Sequence, residues 1–222
     1  MKIDRALVIG TGGIGSAVAA ALQERGAEVT TLSRSADGLD VTDTASVERV
    51  MAGPEGPYDL VFIAIGILAP TGGAPEKSLD AIAADDMAQV MAVNAIGPAL
   101  LLRHMPRLLP RDRAATCAVL SARVGSIGDN RIGGWYSYRA SKAALNQIVH
   151  GAAIELGRSH KKAVVVALHP GTVATPFTAD YAGRHKTVPS DEAAANLLAV
   201  IDTLGPDDSG QFYDYAGDPI PW

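Results

Sequence analysis

Cysteine is nearly missing. Cys117 is the only one in 222 residues, which excludes an internal disulfide and a thiolate-rich metal site. It lies in an apolar run and reads as a small core residue. Basic residues do not dominate: 19 Lys and Arg face 24 Asp and Glu, for a net charge of −5. A duplex-binding domain normally shows a basic excess, so nucleic acid is not an expected partner. The arginines between Arg103 and Arg113 read as a solvated helix end and loop. No run of eighteen apolar residues is free of charge, so no membrane span is expected. The five histidines are scattered, and none stands with other ligands at metal-site spacing, so no metal is expected. The N-terminus enters a strand pattern at once, without a signal-peptide layout. A cytoplasmic protein is the expectation.

Aromatics are few, at 5%, while hydrophobic residues reach 48%, enough for a large core and too many for a disordered chain. Apolar runs alternate with helical periods. Strands are predicted at Ala6–Ile9, Glu28–Leu32, Leu60–Ile65, Ala115–Ser121, Val164–Leu168 and Gln211–Tyr213. Helices are predicted at Ile14–Arg25, capped by Gly26, at Thr44–Met51, with Asp43 as N-cap, at Tyr136–Arg158 and at Ser190–Thr203. A long helical pattern over Asp85–Leu109 should bend or break at Pro98 and Pro106. Gly66 to Lys77 and Arg123 to Gly134 read as loops. Short buried strands alternating with helices give an α/β fold: one Rossmann-type domain over residues 1–222, a doubly wound parallel sheet with helices on both faces. Ligands of such sheets bind at the carboxyl ends of the strands.

The residues just after the first strand, Gly10-Thr11-Gly12-Gly13-Ile14-Gly15, fit G-x-G-x-x-G between a strand and a helix. The first glycine permits a tight turn, the second lets backbone approach a pyrophosphate, and the last packs helix on strand. The helix N-terminus offers its N–H groups to phosphates. A dinucleotide is the ligand this pattern points to. The second strand ends Leu32-Ser33-Arg34. An acidic residue that would hold a ribose 2′-hydroxyl is missing there, and Arg34 can pair with a 2′-phosphate, so NADP(H) is expected over NAD(H).

Tyr138-Arg139-Ala140-Ser141-Lys142, opening a long helix after a strand and a glycine-rich loop, resembles the Tyr-x-x-x-Lys motif of the short-chain dehydrogenases/reductases. Other blocks follow in the family's order. Leu39-Asp40-Val41 is similar to the adenine-receiving segment. Ala64-Ile65-Gly66 stands where the family has Asn-Ala-Gly beside the cofactor. Val93-Asn94-Ala95-Ile96-Gly97 carries a helix asparagine. Pro170-Gly171-Thr172-Val173-Ala174-Thr175 matches Pro-Gly-x-Val-x-Thr near the nicotinamide. Trp135 to Lys142 and the closing Ile220-Pro221-Trp222 resemble the C-factor branch, related to small carbonyl reductases and including a proposed intercellular signalling protein. The resemblance implies hydride transfer between NADP(H) and a small carbonyl or alcohol substrate. Tyr138 would exchange the proton. Lys142 would hold the nicotinamide ribose and lower the tyrosine's proton affinity, and Asn94 would hold a linking water. It also implies a homodimer or homotetramer through the helices over Asp85–Leu109 and Tyr136–Arg158. The second of these carries Ala140, Ala143, Ala144, Ile148, Gly151 and Ala152 over more than one face.

Three departures stand out. The glycine turn is one residue shorter than the family's G-x-x-x-G-x-G. Ile63 and Ile65 occupy positions where the family often has asparagines. Ala122 falls at the family's catalytic serine, leaving Ser126 or Ser121 to polarise the carbonyl. Ser126 is preferred, because its loop is freer and Ser121 should face the opposite side. The stretch Pro176 to Val188, with Phe177, Tyr181 and His185, occupies the place of the family's substrate lid. The alternative function is a non-enzymatic NADP(H) sensor or signalling protein on the same fold.

Overall fold

A computed structural model describes residues 2–175 and 187–222. Six strands form one parallel sheet: β1 (Arg5–Ile9), β2 (Glu28–Leu32), β3 (Leu60–Ile63), β4 (Ala115–Leu120), β5 (Ala163–His169) and β6 (Phe212–Asp214). Their spatial order is β2-β1-β3-β4-β5-β6. The chain moves outward from β1 to β2, then crosses back so that β3 lies on the other side of β1. That reversal opens a crevice above the carboxyl ends of β1 and β3.

Alternation along each strand builds two cores. Leu7, Ile9, Val61, Ile63, Cys117, Val119, Val165 and Ala167 pack on one face with residues of α3 (Thr44–Met51), α5 (Gly97–Leu102), α6 (Met105–Leu108) and α7 (Tyr136–Leu156). Ala6, Val8, Leu60, Phe62, Ala118, Val164 and Val166 pack on the other face with α1 (Gly13–Glu24) and α8 (Ser190–Thr203). Strands buried on both faces are what continuous apolar runs such as Leu60-Val61-Phe62-Ile63 require.

Most expected elements are present, with ends moved by one or two residues. Asp43 caps α3 by accepting a hydrogen bond from the Ala45 N–H at 3.0 Å. Gly26, at φ +86°, follows the last turn of α1. The third strand stops at Ile63, two residues earlier than expected, and Ala64 and Ile65 lie against the glycine turn, 2.5 and 3.1 Å from where a Cβ on Gly10 would stand. The Asp85–Leu109 pattern is α4 (Ala84–Met91), which runs through a π-helical turn into α5, and then a separate α6, with Pro98 near the start of α5 and Pro106 in the first turn of α6. The first interruption comes before Pro98, in a π-helical turn over Ala92–Ile96. A four-residue helix, α2 (Arg34–Asp37), was not expected. The Ser33 hydroxyl caps it by accepting from the Ala36 N–H at 3.1 Å.

Candidate active site

The glycine turn lies at the topological crevice and is closed from below. Gly10 has φ +96°, and a Cβ there would stand 2.5 Å from the Ala64 carbonyl oxygen, so only glycine fits. A Cβ on Gly15 would collide with the Gly10 carbonyl oxygen. Gly12 differs: nothing lies within 4 Å of the Cβ it lacks. It is the N-cap of α1 and supplies no side-chain cap, and the first turn of α1 holds no acid. This open, uncapped helix start suits an anion such as a pyrophosphate. A Cβ on Gly13 would meet the Thr175 methyl at 2.6 Å, so the turn touches the Pro170-to-Thr175 block at the end of β5.

Arg34 opens α2 at the end of β2. Its side chain is 84% exposed, with the guanidinium 3.8 Å from Asp40. Asp40 accepts from the Thr42 hydroxyl at 2.6 Å and the Thr42 N–H at 2.9 Å, and these bonds hold its carboxyl below the usual carboxylate range. Val41, beside it, packs so closely on Gly97 that a Cβ there would lie 2.8 Å away. The Ser33 N–H donates to the Asp37 carboxylate at 2.8 Å, so both polar groups of Ser33 serve α2.

Tyr138 and Lys142 lie one turn apart on α7, 7% and 3% exposed. The Lys142 ammonium donates to the Leu120 carbonyl oxygen at 3.0 Å, at the end of β4, and stands 6.0 Å from the centre of the Tyr138 ring. Burial governs both groups. It pushes the Tyr138 phenol well above its usual value and pulls Lys142 down to about 8. The lowering of the tyrosine by its lysine is therefore not the state seen here.

Asn94 is fully buried in the π-helical turn, a feature that often marks functional positions. Its Oδ1 accepts from the Ile67 N–H at 2.7 Å, and its Nδ2 donates to the Ile67 carbonyl oxygen at 2.8 Å and the Ser141 hydroxyl at 2.9 Å. The asparagine side chain thus pins the loop after β3 to α7. A Cβ on Gly66 would lie 3.3 Å from both Asn94 Oδ1 and Lys142 Nζ. Gly66, Asn94 and Lys142 accordingly share one spot, with Ser141 beside Asn94. Ser141 was missed in the sequence, although it lies inside the Tyr-to-Lys motif.

The two serines are engaged elsewhere. Ser121 is buried and donates to Asn146 Oδ1 on α7 at 2.6 Å. Ser126 donates to the Pro221 carbonyl oxygen and accepts from the Asp129 N–H at 3.0 Å, so its hydroxyl ties the 126–129 loop to the C-terminal segment. Ala122 is 9% exposed and extended, just before a 3-10 turn over Arg123–Gly125. Gly125 of that turn is pressed on Lys142, where a Cβ would come within 2.7 Å of the lysine Cβ. His169, at the end of β5, was also missed. Its Nδ1 is buried with no partner among the described residues, and burial, with help from Arg123, pulls the imidazole down to about 4. It is neutral at ordinary pH. The expected lid residues Phe177, Tyr181 and His185 lie outside the described residues. Among the described residues, no helix is long and apolar enough to cross a membrane.

A family model described as enoyl-(acyl carrier protein) reductase matches residues 8–203. The chain is 35% identical over 191 residues to 1-hydroxy-2-glutathionyl-2-methyl-3-butene dehydrogenase of Rhodococcus sp. (strain AD45), covering 83% of this chain and 79% of that one. It is 39% identical over 137 residues to C-signal of Myxococcus xanthus, covering 62% of this chain and 79% of that one. Among solved structures, a carbonyl reductase from Pseudomonas aeruginosa PAO1 in complex with NADP superposes with a TM-score of 0.76 at 26% identity, covering 100% of both chains.

Proposed function

The chain belongs to the short-chain dehydrogenase/reductase family, and on that premise we propose that it is an NADP(H)-dependent oxidoreductase acting on a small carbonyl or alcohol. The observation that carries this reading is the meeting of buried Tyr138, Lys142 and Asn94 at the half-buried Gly66, two residues after the Ala64 on which Gly10 of the open glycine turn packs. The cofactor would be held by Gly10, Gly12, Gly13, Ile14 and Gly15 at the phosphates. Arg34, with Ser33 beside it, would hold the 2′-phosphate, and Asp40 and Val41 the adenine. Ala64, Ile65, Gly66, Lys142, Pro170, Gly171, Val173 and Thr175 would flank the nicotinamide half. NADPH supplies the hydride when bound. The protein supplies the proton: Tyr138, kept neutral by burial, has a phenol hydrogen to give to a carbonyl oxygen as charge develops on it. The Lys142 ammonium stabilises the phenolate left behind. Asn94 and Ser141 keep the helix and the loop after β3 in register.

The test is oxidation of NADPH followed at its nicotinamide absorbance, over a panel of aldehydes, ketones and quinones. Turnover with at least one carbonyl supports the reading. For cofactor choice, Arg34→Ala should weaken NADPH by about tenfold or more, as for a lost charge-assisted pair, and leave NADH nearly unchanged. Equal affinity of the unmutated protein for both cofactors in calorimetry contradicts the assignment.

Assembly belongs to the same proposal. Ile96, beside α4, and Ile154, on α7, are 53% and 55% exposed. We place a homodimer or homotetramer interface along these helices. Light scattering at micromolar concentration should give a multiple of 22.9 kDa, and a clean monomer mass contradicts it.

A second reading is supported by Ala122 at the serine position and by the likeness to C-signal: a sensor or signalling protein that binds NADP(H) without turnover. NADPH binding with no oxidation of it by any carbonyl in the panel favours that reading.

A further inference from the structure

We propose that Glu76 is a positioning residue for the proton donor: a carboxylate from the loop after β3 that caps α7 from outside and thereby fixes Tyr138. The inference rests on the reductase reading for its catalytic consequence and on the geometry alone for its structural one.

The start of α7 needs outside help. Its N-cap residue, Trp135, is in the left-handed region at φ 53° and gives no side-chain cap. Gly133 and Gly134 before it also have positive φ. The first turn holds no acid of its own, so neither an N-cap side chain nor a first-turn carboxylate serves the start of this 21-residue helix. Glu76, some sixty residues earlier, fills that need twice over. Its carbonyl oxygen accepts from the Trp135 N–H at 2.5 Å. Its carboxylate accepts from the Ser137 N–H at 3.2 Å and, through its other oxygen, from the Ser137 hydroxyl. Both partners are buried, Glu76 to 8% and Ser137 to 3%. A buried carboxylate is costly unless paired. Here burial works against the charge, but the hydrogen bonds from Ser137 and from the backbone of Glu76 itself together outweigh it and hold the carboxyl below its usual range. The positive end of the helix dipole favours the same anion.

Tyr138 is the next residue after Ser137, and its ring meets that of Trp135 edge-on at 6.2 Å. The two residues that Glu76 grips therefore flank the phenol, one by sequence and one by contact. The loop that carries Glu76 is also tied at its start, through Ile67 and Asn94 to Ser141. Loop and helix are joined at two levels, and Tyr138 lies between them in sequence. Between the tied ends Glu76 and Ser137 line a cavity of about 290 Å³, walled by Leu68, Pro70, Pro75 and Val90. Glu76 is the only acid in the Gly66–Lys77 loop.

The experiment compares Glu76→Ala, Glu76→Gln and Glu76→Asp by amide hydrogen exchange and by kinetics, with Ser137→Ala as partner. In Glu76→Ala the amides of residues 135–139 should exchange at least about tenfold faster, and the rest of α7 should change little. Its kcat should fall by about tenfold with KM for NADPH within about twofold, because misplacement of a reacting group costs rate rather than cofactor binding. Glu76→Gln, which keeps an acceptor, should restore both within about threefold. Glu76→Asp, one methylene too short, should behave like the alanine variant, and it carries the test if that variant does not fold. Ser137→Ala should add nothing in the Glu76→Ala background. Unchanged exchange at 135–139, or a loss of NADPH binding equal to the loss of kcat, overturns the proposal. A wild-type protein inert towards every carbonyl removes the reductase reading, and the exchange data then decide alone whether Glu76 holds the helix start.

Discussion

Tyr138→Phe should lower turnover of a carbonyl substrate by about 10²–10⁴-fold and leave NADPH affinity within about twofold. The substitution removes one oxygen from a side chain that is 7% exposed, so the ring still fills its place and the helix still presents Lys142. What is lost is the only hydrogen the ring can donate. Burial pushes the Tyr138 phenol up, which keeps it protonated across the working range and makes it a donor in the direction of carbonyl reduction. Burial pulls Lys142 down to about 8. A group lowered in this way loses its charge as pH rises through that value, and with the charge goes the ammonium that stabilises the phenolate. The kcat/KM of the wild-type protein, which reports on the free enzyme, should therefore hold at lower pH and fall above about 8. Tyr138→Phe turning over as fast as wild type, at any pH, contradicts the assignment of the proton donor.

Ala122→Ser should raise kcat by about tenfold or more. A hydrogen-bond donor at a developing oxyanion is worth about 10²–10³ in rate when it is well placed, and a donor introduced into an unprepared site recovers part of that. Ala122 is extended, and the turn after it packs on Lys142 through Gly125, which places residue 122 next to the Tyr138–Lys142 helix. Both neighbouring serine hydroxyls have other partners, Ser121 donating to Asn146 and Ser126 donating to Pro221 and accepting from Asp129. Ser126→Ala should accordingly loosen the C-terminal segment more than it slows turnover. Steady-state kinetics on one shared substrate separates these outcomes. A large loss in Ser126→Ala with no gain in Ala122→Ser would return the carbonyl-polarising role to Ser126.

The layout of this fold is written in local features. Leu60-Val61-Phe62-Ile63 has no polar break, as a strand buried on both faces requires, and the glycine spacing from Gly10 to Gly15, falling between an apolar run and a helical period, marks a strand-to-helix turn. Asp43 and Gly26 mark helix ends by their own chemistry. The site is legible where its residues share a helix or a turn, as Tyr138 and Lys142 do. It is not legible where two distant segments meet. Glu76 is one carboxylate in a proline-rich loop until Ser137 is folded against it, and no spacing rule connects residues 61 apart. The π-helical turn around Asn94 is hidden for a related reason. Its sequence differs little from an ordinary helix, and the partners of Asn94 within it, Ile67 and Ser141, come from two other segments. Ser121 and Ser126 were legible as hydroxyls near the site, but their partners come from α7 and from the C-terminal segment.

The most direct measurement of the central claim is transfer of label from NADPH carrying deuterium at the nicotinamide C4, on whichever face is delivered, into the alcohol formed from an aldehyde or ketone. Deuterium on the former carbonyl carbon in the wild-type product, and about a hundredth as much or less with Tyr138→Phe over the same time, is the result expected of a hydride-transferring site built on Tyr138 and Lys142. Tight NADPH binding with no deuterium in any alcohol would contradict it and leave cofactor sensing as the function of this fold.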